Sequence, residues 1–242
     1  MKWQTRISVH KNGKLYVRGK DIVKLASKSS FSDLVFLMLR GSLPSKKERA
    51  MLDVMLVLSV EHGVNVPSAF VPRTVSSTGN SVNASLAAGI LAVGDWHGGA
   101  IESAAKLCQT KKNTKDLVQE MLREGKHMPG YGHKIYKDKD PRSEMIFKKA
   151  KQLGFSGAYV TKAKDVEREL KHATKKHLPI NIDGAIAAVV SGLGFDWRLG
   201  KAIFALGRFP GMIAHIYEEM VHEKPYRRLD DDDVQYIGPT IR

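Results

Sequence analysis

A mostly helical protein with a small β element at its N-terminus is the fold class that this 242-residue sequence predicts. Three observations predict it. RISVH and KLYVRG flank Asn12-Gly13, a dipeptide that tolerates the positive φ of a tight hairpin turn. After Gly19, apolar residues recur on a helical period, punctuated by Ser, Asp, Pro and Gly where helices begin and end. No internal repeat or low-complexity linker interrupts that pattern.

The elements follow in order. FSDLVFLMLRG has helical periodicity and stops at Gly41, and SKKERAMLDVMLVLSV opens with Ser45 and Glu48, the spacing of a capping box. KDLVQEMLREG ends at Gly125, DPRSEMIFKKAKQLG puts Pro141 at a first helical position, and WRLGKAIFALGR follows Asp196 as a cap. Residues 81–94 (SVNASLAAGILAVG) and 183–194 (DGAIAAVVSGLG) are rich in small side chains. Small residues let backbones approach closely, so both stretches are expected to be buried central helices.

The chain is long enough for one large domain or a main domain with a smaller lobe. No apolar run is long enough to cross a membrane, and MKWQTRISVH lacks the hydrophobic core of a signal peptide. The single cysteine, Cys108, excludes an intramolecular disulfide and fits a reducing compartment, so a cytoplasmic location is expected. A net charge of +14 attracts polyanions, either nucleic acid or a polyphosphorylated small molecule. The lysines are spread along amphipathic helices such as residues 161–176, TKAKDVERELKHATKK, without interleaved aromatics or a nucleic-acid motif. Nucleic acid is therefore not expected as a partner. The acidic run at residues 230–233 reads as a hydrated turn, because four adjacent carboxylates seldom converge on one ion; no metal site is expected.

Three stretches carry groups that structure alone does not demand. His97, in GDWHGGA, precedes the helix AIESAAKLC, where the positive end of a helix favours a neutral imidazole. Taken alone, such a residue is more often a structural histidine than a catalyst. In MPGYGHKIYKDKDPR, Gly130 and Gly132 let the backbone pass close to a ligand and leave the ring of His133 accessible. Arg142 falls in the first turn of the next helix, where a cation opposes the dipole and an anionic ligand would offset it; Asp140-Pro141 reads also as a plain cap and first residue. Asp183, in LPINIDGAIAAVV, is either a helix cap or a carboxylate made more basic by Ile180, Ile182, Ala185 and Ile186 around it. Two neutral imidazoles and a carboxylate are what carbon-acid chemistry beside a thioester requires: a base for the carbon, a donor to the enolate, and an acid for the other carbonyl.

The order and spacing of YVRGKDIVKLASKSSFSDLVFLMLRGSLPSKKE, EHGVNVPSAF, GDWHGGAIESAA, PGYGHKIYKDKDPR, NIDG, FALGRFPGMIAH and RRLDDDDVQYIGP carry a resemblance. The chain resembles the citrate synthase superfamily nearly end to end, and within it the citryl-CoA lyases and the C-terminal lyase module of ATP-citrate lyase. Barely one helix separates GSLPS from EHG, and NIDG replaces a longer aromatic-containing stretch; both traits are similar to the lyases. His97 stands where the lyase module of ATP-citrate lyase usually has phenylalanine, so a synthase-like triad is kept.

The resemblance implies an all-α fold, with residues 1–100 and 187–242 as a large domain and 101–186 as a smaller domain closing over the ligands. It implies that His97 stabilises the enolate, His133 serves the oxygen of the oxaloacetate half, and Asp183 exchanges the α-proton. His62, Arg142 and Arg208 match positions that hold substrate carboxylates, and Arg227 or Arg228 matches an arginine donated across a dimer. The backbone of Pro129, Gly130, Tyr131 and Gly132 would meet the adenine of coenzyme A, with Lys175 or Lys176 near its phosphates. The expected activity is cleavage of citryl-CoA to acetyl-CoA and oxaloacetate, with coenzyme A as part of the substrate and no tightly bound cofactor. A compact citrate or 2-methylcitrate synthase is the alternative, a basic nucleic-acid-binding protein a remote one. A homodimer or dimer-based higher oligomer is implied. The sequence has no G-x-x-x-x-G-K-[ST] loop, so an ATP-dependent formation of citryl-CoA needs a separate synthetase.

Overall fold

A computed structural model describes residues 2–240. The chain opens with an antiparallel three-stranded sheet: β1 (Ser8–Lys11), β2 (Lys14–Val17) and β3 (Lys20–Asp21), in that order. Asn12 and Gly13 turn β1 into β2 with φ of 52° and 70°, both left-handed as a type I′ turn requires. Register pairs Ser8 with Val17 and Lys11 with Lys14. The third strand, only two residues long, was not signalled by any alternation in the sequence.

Helices make up most of the rest: α1 (Ile22–Ala26), α2 (Phe31–Arg40), α3 (Lys46–Ser59), α4 (Pro67–Ser77), α5 (Val82–Leu91), α6 (Ala100–Gln109), α7 (Thr114–Arg123), α8 (Pro141–Leu153), α9 (Ala158–Thr174), α10 (Ile182–Gly192) and α11 (Gly200–His222). Their ends follow local chemistry. Ser45 and Glu48 form the capping box of α3, and Ser30 and Asp33 form another on α2. Gly41 closes α2 at φ 85°. Asp196 caps a short 3₁₀ turn, Trp197–Leu199, that leads into α11. A second 3₁₀ turn, Asp231–Asp233, makes the acidic run an exposed turn, as expected.

The described chain divides into two compact units. One comprises the residues up to Val60 with Gly98–Gly207, the other Glu61–His97 with the residues from Arg208 on. In the first, α10 is the central helix and packs on α6, α8 and α9. Its residues from Ala185 to Val190 are at most 1% exposed. Burying Ile186, Val189 and Val190 contributes about 1.5–3 kcal/mol each. Cys108 of α6 is buried in this unit, and burial pushes its thiol up to about 11.

In the second unit, α5 departs from expectation. Only Ser85 and Gly89 are buried, whereas Leu91 is 85% exposed. The small residues mark one close contact, not burial all round. A Cβ on Gly89 would stand 3.1 Å from Sδ of Met212 and 3.2 Å from the ring of Pro72 in α4.

Candidate active site

Within the first unit, α8 begins at Asp140, whose carboxylate is fully buried. Oδ1 accepts the main-chain N–H and Nε–H of Arg142, each at 3.0 Å; Oδ2 accepts Nη2–H of Arg142 at 2.9 Å. The cation in the first turn of α8 thus has an internal counter-charge, where the sequence pointed to a ligand's anion. Burial opposes ionisation of Asp140, but the hydrogen bonds and charge of Arg142 and the bond from Ile182 outweigh it and hold the carboxyl below its ordinary value.

The half-buried ring of His133 lies beside this pair. Its Nδ1 accepts the main-chain N–H groups of Ile135 at 3.0 Å and Tyr136 at 3.1 Å, so the neutral ring carries its proton on Nε2. Nε2 is 3.2 Å from Nη2 of Arg142. Protonated, the two are donors facing each other, and both address an acceptor placed beside them. Burial lowers the His133 pKa, and Arg142 and Lys137 add to that while Asp140 opposes it. The ring also lies 4.8 Å from that of Tyr136, centroid to centroid.

Asp183 is the second residue of α10, not its cap. The cap is Asn181, whose Oδ1 accepts the N–H of Asp183 at 3.0 Å and of Gly184 at 3.2 Å. One of the two readings of Asp183 therefore falls away. Of its apolar neighbours, Ile180, Ala185 and Ile186 are buried and Ile182 is partly so.

Asn181 also holds the glycine loop. Its N–H donates to the carbonyl of Gly130 at 3.0 Å and its Nδ2 to the carbonyl of Gly132 at 2.9 Å, while Gly132 N–H donates to Pro179 O at 2.8 Å. Tyr131 bridges to Ile180, and its hydroxyl donates to Ala163 O at 2.8 Å. Gly130, at φ 87°, packs on the first turn of α10; a Cβ there would stand 2.7 Å from Cα of Gly184. The sequence attributed this glycine's close approach to a ligand, and the structure shows protein backbone as its neighbour. Lys175 ends α9 in the left-handed conformation at φ 58°, and Lys176 follows it; both are exposed.

In the second unit, Gly94 and His97 exchange main-chain hydrogen bonds of 3.0 Å, which turns the His97 ring toward the start of α4. Ser68 N–H donates to Nε2 of His97 at 3.3 Å, and the Ser68 hydroxyl is 2.8 Å from the same nitrogen. The expectation placed His97 against the helix that follows it in sequence; within this unit the helix N–H that meets it belongs to α4. Burial lowers the His97 pKa, and the nearby positive charges of Arg208 and His62 lower it further. Arg208 is 5% exposed and His62 is exposed.

The two remaining arginines differ. Arg227 donates to Oε2 of Glu219 from Nε at 2.8 Å and Nη2 at 2.7 Å, and its main-chain N–H donates to Ser77 Oγ. Arg228 pairs with Asp231, and both are largely exposed.

The structure thus gathers His133, Arg142 and the Asp183 turn in one unit and places His97 with His62 and Arg208 in the other. Sequence reasoning missed Ser68 and Asn181 and saw Asp140 only as a cap. Asn181 was legible as a cap two residues before Asp183; Ser68 gave no signal.

The helical fold, with its small N-terminal sheet, is of the citrate synthase-like class. Residues 44–229 match the citrate synthase C-terminal domain, and the chain belongs to the citrate synthase family. It is 44% identical to a citryl-CoA lyase from Hydrogenobacter thermophilus, with a TM-score of 0.94 over 99% of this chain and 96% of that one. An ATP citrate lyase from Methanothrix soehngenii, solved with citrate and coenzyme A, is 26% identical with a TM-score of 0.83 over 99% of this chain and 42% of that one. A citrate/2-methylcitrate synthase from Bacillus subtilis is 31% identical over 220 residues, 88% of this chain and 58% of the relative. The chain spans about half the length of the curated relatives it matches.

Proposed function

We propose that this chain is a citryl-CoA lyase that splits citryl-CoA into acetyl-CoA and oxaloacetate. The observation that carries this reading is its likeness, over almost the whole of both chains, to the Hydrogenobacter citryl-CoA lyase. Coenzyme A enters as part of the substrate, in keeping with a related ATP citrate lyase solved with (3S)-citryl-CoA.

In cleavage, the hydroxyl proton of citryl-CoA leaves as that oxygen becomes the ketone of oxaloacetate, the C–C bond breaks, and the enolate of acetyl-CoA is protonated on carbon. His133 serves the hydroxyl oxygen. Because two N–H groups hold Nδ1, the ring exchanges protons only at Nε2: it gives its Nε2 proton to the oxygen in condensation and, by microscopic reversibility, takes the hydroxyl proton there in cleavage after its own Nε2 proton has passed to solvent. Once Nε2 has given up its proton, the N–H groups of Ile135 and Tyr136 at Nδ1 and of Arg142 at Nε2 all donate to the ring and stabilise that deprotonated form. His97, with Nε2 turned to Ser68, presents an Nδ1–H donor to the enolate oxygen. Asp183 delivers the proton to carbon. His62, Arg142 and Arg208 hold the carboxylates of the oxaloacetate half.

The main chain of residues 129–132 meets the adenine, and Lys175 or Lys176 the phosphates. A lobe of residues 101–186 closes on the large domain of residues 1–100 and 187–242. The working unit is a homodimer in the cytoplasm, supplied with citryl-CoA by a separate synthetase. Exposed Leu91, Tyr217 and Met220 support a further copy as partner, and Arg228, whose ion pair is with exposed Asp231, is better placed to reach it than Arg227, which is tied to buried Glu219.

A second reading, a compact citrate or 2-methylcitrate synthase, is favoured by the Bacillus relative. An assay coupled to malate dehydrogenase separates them. Oxaloacetate formed from citryl-CoA, with little coenzyme A released from acetyl-CoA plus oxaloacetate, is the expected result; the reverse balance makes the protein a synthase.

A further inference from the structure

Asp140 does far more than cap α8. A cap needs one lone pair and normally lies near solvent. The carboxylate of Asp140 is fully buried and accepts four hydrogen bonds: Arg142 N–H and Nε–H on Oδ1, Arg142 Nη2–H and Ile182 N–H on Oδ2. Ile182 is the first residue of α10, so its N–H has no partner inside its own helix. Two helix N-termini therefore converge on one buried anion, a favourable arrangement for a carboxylate at both dipoles. The contacts close a ring: His133 to Arg142, Arg142 to Asp140, Asp140 to Ile182, then through Asn181 to Gly132 and back along the chain to His133.

We propose that Asp140 is a positioning residue, which fixes the guanidinium of Arg142 beside His133 and the first turn of α10, with Asp183, in one rigid frame. The proposal rests on the lyase reading of the same site. Asp140 is sealed from substrate and acts only through its partners. Without it, Arg142 swings and the α10 turn loosens, each by a displacement of the size that costs about 100-fold in rate.

Asp140→Asn tests this. Asparagine is as good a cap as aspartate, so Oδ1 still holds Arg142 N–H, but its NH₂ replaces Oδ2 and faces two donors, Arg142 Nη2 and Ile182 N–H. Three readouts on the full-length protein are expected to move together. kcat for citryl-CoA cleavage falls about 100-fold. The Ile182 amide exchanges with solvent at least about 10-fold faster while Val189, mid-helix, keeps its protection. The imidazole of His133, followed by NMR, titrates at a shifted pH, since it loses both the Asp140 charge that raises its pKa and the fixed Arg142 charge that lowers it.

Ile182→Pro probes the tie from its other end. Proline is accommodated at a first helical position after an extended residue, and Asn181 has φ −87° and ψ 180°. It removes the N–H and trims a partly buried side chain, so Ile182→Val, which keeps the N–H, is its control; a loss of kcat of about 10-fold in the proline variant and not in the valine one is expected, and the pair decides the matter if Asp140→Asn does not fold. Folded Asp140→Asn or Ile182→Pro retaining kcat within about twofold overturns the proposal. So does a loss of kcat with unchanged Ile182 exchange and His133 titration. If wild type neither cleaves citryl-CoA nor releases coenzyme A from acetyl-CoA plus oxaloacetate, the lyase reading fails by itself; the exchange and titration arms then still decide whether Asp140 holds the frame.

Discussion

The main-chain N–H of Ser68 points at Nε2 of His97 across 3.3 Å, with the Ser68 hydroxyl 2.8 Å from the same atom. A nitrogen that accepts an N–H carries no proton, so the His97 proton sits on Nδ1 and the ring is neutral. Burial, and then Arg208 and His62, oppose its protonation. The folded pKa therefore lies below the ordinary 6.5. As pH falls below that value the unfolded chain binds a proton that folded His97 refuses, so this group lowers stability on the acid side and has no effect well above it. Denaturant midpoints measured between about pH 5 and pH 7 are expected to fall with pH, and to fall less in His97→Gln. An equal slope in both proteins would show that His97 titrates normally.

Asp183→Asn is expected to remove activity without harming the fold. Asn181, not Asp183, caps α10, so the substitution leaves the cap untouched. Loss of a proton-transfer group costs about 10²–10⁴-fold in rate. The measurement is kcat for citryl-CoA beside a thermal melt. Full activity in the variant would remove Asp183 from the mechanism.

How much of this was legible depends on the range of the interaction. The Asn12-Gly13 turn, the Ser45–Glu48 box and the Gly41 stop are fixed within a few residues, and those signals located the hairpin, α2 and α3. Pro141 likewise marked the start of α8. The tie from Asp140 to Ile182 spans 42 residues, and that from Ser68 to His97 spans 29. Neither has a spacing rule. Helix α5 misled for a related reason: composition reports that Gly89 approaches Pro72 and Met212, but not whether its other faces are covered. His133, Arg142 and Asp183 stood out because each sits oddly for local structure, whereas their assigned roles came from the family resemblance.

The contact between Gly130 and Gly184 predicts that a single methyl group is damaging. A Cβ on Gly184 would stand 3.0 Å from Cγ2 of Ile180 and 3.1 Å from the carbonyl carbon of Gly130. The opposing atoms are mostly main chain and cannot rotate away. Gly184→Ala is expected to cost about 1–3 kcal/mol by overpacking, read from urea unfolding, despite alanine's better helix propensity. A gain in stability would mean that the loop of residues 129–132 yields easily.

A buried ion cluster sets the last expectation. Arg73 of α4 donates from Nε to Glu219 of α11 at 2.8 Å, with side-chain exposures of 6% and 1%. Glu218 and Glu223 flank the same guanidinium, at 2.8 Å and 3.4 Å, but are far more exposed and better screened. Arg227 donates to the same Oε2 of Glu219 from Nη2 at 2.7 Å. Glu219 is therefore the buried anion of this cluster, shared by two guanidinium groups, and removing it strands the Nε side of buried Arg73, leaving its charge to the exposed carboxylates of Glu218 and Glu223. Breaking a buried pair in this way costs about 3–5 kcal/mol, whereas an exposed pair contributes about 0–1 kcal/mol. Glu219→Ala should thus destabilise strongly while Glu218→Ala changes little, as judged by chemical denaturation at neutral pH. In the double variant Arg73→Met, Glu219→Leu, both charges are replaced by apolar side chains, and much of the loss is expected to return because desolvation of the pair is removed with it. Recovery in the double variant identifies the stranded charge as the cause of the Glu219→Ala defect; no recovery assigns it to lost packing and to the Arg227 contact instead.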